Sequence, residues 1–92
     1  VPDKFILYQN YPNPFNPSTK IKFAIPPTSE MINVSMKIYD ILGNEVTTLI
    51  NEPKEPGIYD VEFNATNLSS GVYFYTLRSG EFVSSKKMLL LK

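Results

Sequence analysis

Residues 71–80, Gly71-Val72-Tyr73-Phe74-Tyr75-Thr76-Leu77-Arg78-Ser79-Gly80, decide the fold class. In an extended chain Val72, Phe74 and Thr76 fall on one face and Tyr73, Tyr75 and Leu77 on the other. Apolar and aromatic residues on both faces predict a strand in the interior of a sheet. Ser79-Gly80 predicts a tight two-residue turn, with Glu81 to Leu91 returning as the last strand. On the other side, Leu68-Ser69-Ser70-Gly71 has the form of a corner between two sheets. Tyr73 then stands either where its hydroxyl bonds back to the corner's backbone or as an ordinary strand tyrosine.

Working outward, the same alternation recurs in short stretches divided by proline, glycine and asparagine, and no segment carries a helical period. Phe5 to Tyr8 opens the series. Ile21, Phe23 and Ile25 alternate until Pro26-Pro27 removes two backbone donors. Val34, Met36 and Ile38 oppose Ser35, Lys37 and Tyr39, and Asp40-Ile41-Leu42-Gly43-Asn44 supplies turn residues before a return strand over Glu45 to Ile50. Pro53 to Gly57 predicts a break, and Tyr59, Val61 and Phe63 alternate with Asp60 and Glu62 in the next strand. About seven strands at this spacing predict an all-β, two-sheet antiparallel sandwich.

A chain of 92 residues supports a single core and therefore a single domain, 1–92. With 42% hydrophobic and 20% charged residues it should fold and stay soluble. Nine basic and nine acidic side chains cancel, so no long-range field gathers phosphate backbones, and a nucleic-acid role is not expected. The longest apolar run, Met88 to Leu91, falls far short of the roughly 20 residues of a membrane-spanning helix, so no transmembrane segment is expected. The start at Val1 leads us to expect a piece of a longer polypeptide, and since no charged-then-apolar leader opens it, a signal peptide would lie elsewhere if the protein is exported by the general pathway.

Histidine, cysteine and tryptophan are absent, which removes the commonest general base, the thiolate nucleophile and the soft metal ligands. No catalytic residue, cofactor or metal is predicted. Asp60 and Glu62 share a strand face, as paired carboxylates would, yet so does the solvent face of any edge strand. Asp40 and Asn44 flank a turn without the five or more oxygens that calcium wants. Six tyrosines and six phenylalanines could include a stacking platform for sugar rings, although most stand at the alternating positions a core needs.

The most unusual stretch is Gln9-Asn10-Tyr11-Pro12-Asn13-Pro14-Phe15-Asn16-Pro17-Ser18-Thr19. Three prolines within six residues forbid helix and central strand. Asn13 and Asn16 each precede a proline and are pushed toward extended geometry, so a stiff extended strap is predicted, pegged to the sandwich edge by Tyr11 and Phe15.

This string, the strand Lys20 to Ile25, Lys37-Ile38-Tyr39-Asp40 with Gly43, Leu68 with Gly71-Val72-Tyr73, and the ending Lys86-Lys87-Met88 together resemble the type IX secretion C-terminal sorting domain. The resemblance covers nearly the whole chain. It implies an immunoglobulin-like β-sandwich, with the opening strand and strap in 1–19 and the remaining strands in 20–92. It further implies a non-catalytic tail of a secreted bacterial protein, with an N-terminal cargo domain ahead of it. In that family the tail is read by an outer-membrane translocon after passage through the periplasm and is removed by a surface sortase, leaving the cargo on the cell surface or outside. The family's cleavage point lies ahead of the sandwich, where this chain has Val1 to Lys4.

The family's emphasis on the extreme C-terminal strand carries translocon recognition onto Lys86, Lys87, Met88, Leu89, Leu90 and Leu91. An edge strand there could add its backbone to a partner's sheet, or pair with a second copy as a dimer. The chain is also similar to the immunoglobulin-like part of flagellar hook-capping proteins, which leaves a structural or carbohydrate-binding accessory module as the alternative.

Overall fold

In a computed structural model, which describes residues 4–27 and 31–92, every regular element is a strand. The strands are β1 (Ile6–Leu7), β2 (Ser18–Ile25), β3 (Ile32–Asp40), β4 (Glu45–Lys54), β5 (Gly57–Asn64), β6 (Gly71–Ser79) and β7 (Phe82–Leu90). They form two antiparallel sheets, β1-β2-β5 and β4-β3-β6-β7. As its two apolar faces predict, β6 lies inside its sheet. Val1 to Asp3, the greater part of the expected cleavage region, fall outside the described residues.

The alternation in sequence becomes the two inner faces of the sandwich. Ile21, Phe23, Ile25 and Phe63 from one sheet meet Val34, Met36, Ile38, Tyr73, Tyr75, Leu77, Met88 and Leu90 from the other. All are buried, and burying each of the larger side chains is worth about 1.5–3 kcal/mol. The crossing from β5 to β6 changes sheets, and there Tyr73 donates its hydroxyl to Ser69 O at 2.7 Å. This is the corner bond, not the ordinary strand tyrosine, and Gly71 opens the strand that carries it.

Three local expectations are corrected. Ser79 pairs with Phe82, so the turn residues are Gly80-Glu81 rather than Ser79-Gly80. Gly80 alone there has positive φ, 60°, as the first central position of a type II′ turn demands. The strand β4 runs on through Pro53 to Lys54, where a break was expected, because β4 is an edge strand and a proline on the outer edge costs no ladder bond.

The strap, too, departs from expectation. It is bent rather than extended, with cis peptide bonds at Tyr11-Pro12, Asn13-Pro14 and Asn16-Pro17. Phe15 is buried against Phe63, at 6.1 Å between ring centroids, and pegs the strap as predicted. Tyr11 does not: the residue is 81% exposed. Its backbone is what binds, exchanging two 3.0 Å hydrogen bonds with Lys20 and turning the side chain away from the core.

At the far end of β3, Asp40 organises the turn that contains Gly43, whose φ is 89°. The Asp40 carboxylate accepts from the N–H groups of Asn44 at 2.9 Å and Leu42 at 3.0 Å, which accounts for Asp40 and Asn44 as turn chemistry. The Asn44 N–H foremost among these donors holds the Asp40 carboxyl below its usual range.

Candidate recognition site along the final strand

The C-terminal strand is the outer strand of its sheet, so alternate backbone groups along it face away from β6. Over its last residues those groups are taken by the strap. Phe15 N–H donates to Leu89 O and Leu91 N–H to Phe15 O, each at 3.0 Å. Leu89 N–H donates to the Asn13 side-chain oxygen at 2.9 Å, and Gln9 Nε2 donates to Lys87 O at 2.7 Å. Phe15 thereby forms a short parallel bridge with Leu90.

A second set of bonds fixes the strap itself. The buried Tyr75 hydroxyl accepts from Asn10 N–H and donates to Tyr8 O, both at 2.8 Å. Burial pushes this hydroxyl up to about 12, since a phenolate there would lose its hydration. Asn10 Nδ2 donates to Pro12 O and to Thr19 Oγ1, and Thr19 Oγ1 donates to Pro12 O at 2.9 Å. Pro17 O accepts from Ala65 N–H at 2.8 Å. Asn16 and Ser18 lie between these anchored points. Asn10 and Tyr75 were not singled out from the sequence, although a polar Asn two residues before a proline is a signal for such a local side-chain bond.

The structure divides the six residues expected to be read. Met88 and Leu90 are core residues, 1% and 0% exposed. Lys86, on the same inward side, is half-buried, and its neighbour Lys87 points to the outer face, exposed. The basic pair is therefore split between the two faces by the strand's two-residue period. Leu89 is half-buried on the outer face beside Asn13 and Val72, and Leu91 is 50% exposed just beyond the strand. The backbone edge expected to be open for strand addition is closed at Lys87 O, at Leu89 N–H and O, and at Leu91 N–H.

Seven antiparallel strands in two sheets, with a sheet-crossing tyrosine corner, place the chain in the class of immunoglobulin-like β-sandwich modules. Residues 9–91, nearly the whole chain, match the family model described as the secretion system C-terminal sorting domain. The chain belongs to that family, the type IX secretion C-terminal sorting domains. A comparison with curated proteins gave no match. Membership makes this domain a sorting signal of a larger protein, handled by the type IX machinery and exported to the cell surface or beyond. The family is one of signals rather than catalysts. No helix among the described residues is long and apolar enough to cross a membrane.

Proposed function

We propose that the translocon reads this domain folded, on the surface where the strap and the end of β7 are joined, and that Lys87 and Leu91 make the side-chain contacts. One observation carries this reading: the four strap bonds hold the end of β7 in place while leaving the Lys87 and Leu91 side chains exposed. Met88, Leu90 and the half-buried Lys86 then serve recognition indirectly, by setting the position of the strand. The domain passes through the periplasm with its cargo. A surface sortase then cuts ahead of the sandwich, which releases the cargo or leaves it joined to the surface.

The test is a periplasm-targeted fluorescent protein followed by residues 1–92 in a type IX-competent bacterium. Deleting Lys86–Lys92 would be uninformative, because it removes Met88 and Leu90 from the core. The variant of choice is Lys87→Glu with Leu91→Asp, which changes two exposed side chains and no core contact. We expect the unaltered fusion outside the cell, trimmed ahead of Phe5 by mass spectrometry, and the double variant retained in the periplasm with its domain folded. Export of the variant at the unaltered level would exclude these contacts. Retention of both folded fusions would leave a structural module.

A further inference from the structure

The outer face of the β1-β2-β5 sheet, away from the contacts proposed for sorting, carries an arrangement of its own. Tyr8 and Tyr11 are three residues apart, so in a regular strand they would point to opposite faces. They do not, because Tyr8 N–H bonds to Lys22 O while Tyr11 pairs with Lys20. Tyr8 to Tyr11 therefore spans one residue more than the stretch of β2 it faces, an irregularity of the bulge type that re-aims a side chain. Asn10 turns inward and is buried, and both tyrosines emerge on the solvent face, 38% and 81% exposed.

The register across the sheet then sets two similar rows side by side. Lys22 stands opposite Asp60, and Lys20 opposite Glu62, so the rows are Tyr8-Lys22-Asp60 and Tyr11-Lys20-Glu62. They lie two residues apart on β2, about 7 Å. A groove of about 500 Å³ is lined by Tyr8, Tyr11, Lys20, Lys22 and Asp60, and a smaller one of about 260 Å³ shares Tyr11 and Lys20 with it and reaches Glu62. Although Lys and acid face each other in both rows, neither pair closes to an ion pair among the described residues, where the ion pairs are Lys37–Glu45 and Lys54–Glu52. The Lys22 ammonium instead lies over the Tyr8 ring, 5.9 Å from its centroid, so one face of that ring is already engaged, while the Lys20 donors, the two carboxylates and the Tyr11 ring are left for a ligand.

We propose that this face is a binding site for a neutral polysaccharide chain. Flat tyrosine rings offer negative π faces to the C–H side of a sugar ring, and a cation beside a carboxylate suits hydroxyls, each of which both donates and accepts. Two lysines against two carboxylates leave the face without net charge, which selects against sulfated, phosphorylated or uronate chains. The doubled row suits a ligand built of repeating units. Both rings are mounted on hydrogen-bonded backbone, so little order has to be imposed on binding.

The test is affinity electrophoresis of the 92-residue chain through native gels containing barley β-glucan, hydroxyethyl cellulose, galactomannan, dextran or, as the acidic comparison, alginate. Retardation by at least one neutral polymer and not by alginate is expected. Tyr11→Ala should weaken it about tenfold and Tyr11→Phe should restore it, since the ring face and not the hydroxyl is used. Tyr11 is outside the core, so near-ultraviolet dichroism of the variants should show an unchanged fold. No retardation by any neutral polymer, stronger retardation by alginate, or equal retardation of a Tyr8→Ala/Tyr11→Ala double variant would each overturn the proposal.

Discussion

The two outer strands of the larger sheet, β4 and β7, both present a free side, and the chain protects them differently. On β4 the protection is written into the strand: Pro53 lacks a donor, Glu45, Glu52 and Lys54 place charges along it, and two register shifts interrupt its pairing with β3. On β7 the protection is borrowed, since the strap lies across the end of the strand and takes its outward backbone groups. A built-in guard cannot be removed without changing the strand. A borrowed one rests on residues outside the strand, Phe15 foremost, so a substitution in the strap can expose the end of β7 without altering any residue of that strand.

The hardest blow to that contrast is Phe15→Ala, which takes a buried ring out of the core and the peg out of the strap at once. We expect a loss of about 3–5 kcal/mol in urea unfolding. In the surviving folded fraction, light scattering after size exclusion should detect self-association through the uncovered end of β7. A monomer at all concentrations would break the comparison. The Tyr75→Phe variant is milder: it leaves Asn10 N–H and Tyr8 O without their buried partner and should cost about 1–3 kcal/mol. It also has a pH signature. With the folded value raised to about 12 from the ordinary 10.0, the unfolded chain loses this proton first. Stability from this group is therefore complete below pH 10 and declines as pH rises toward 12. The decline in the unfolding midpoint over that window should be smaller in Tyr75→Phe.

Asn13→Ala removes one bond to Leu89 N–H, an exposed group that water can satisfy, and should cost no more than about 1 kcal/mol while increasing hydrogen exchange at Leu89 and Leu91. On the other edge, Pro53→Thr should change stability by no more than about 0.5 kcal/mol and leave the chain monomeric, because charges and bulges still guard β4. Self-association as strong as that of Phe15→Ala would mean that the two guards are of one kind. The smallest effect is expected at Asp40, whose carboxyl is depressed by the Asn44 N–H. Its contribution is present above the ordinary carboxylate range and lost as pH falls through the lower folded value, so Asp40→Asn should flatten the acid side of the stability curve slightly.

Much of this was legible in the chain itself. Alternation placed the inward residues of β2, β3 and β5 and put Tyr73, Tyr75 and Leu77 on one face of β6, while the position after Leu68-Ser69-Ser70-Gly71 offered the corner as one of two readings of Tyr73. These depend on a two-residue period and on neighbours close in sequence. The strap's composition marked it as unusual, and its proline string carried the family resemblance. Where it would lie was not legible. Reading Tyr11 as a peg failed because the extra residue between Tyr8 and Tyr11 reverses the side on which it emerges, and only the pairing with Lys22 and Lys20 shows it.

By itself, then, the sequence determined an all-β sandwich with Phe15 as an anchor, the strand faces following from the pleat. Only the tertiary structure decided that the strap closes the end of β7, that Lys86 rather than Lys87 takes the inward side, that the Tyr73 hydroxyl bonds back to Ser69 O, and that two tyrosines share the outer sheet with opposed charges. Those outcomes depend on contacts between segments as far apart as Gln9 and Lys87, 78 residues along the chain. Local periodicity carries no information about which distant segment will satisfy a given backbone group; closure of the whole sandwich brings that partner into place.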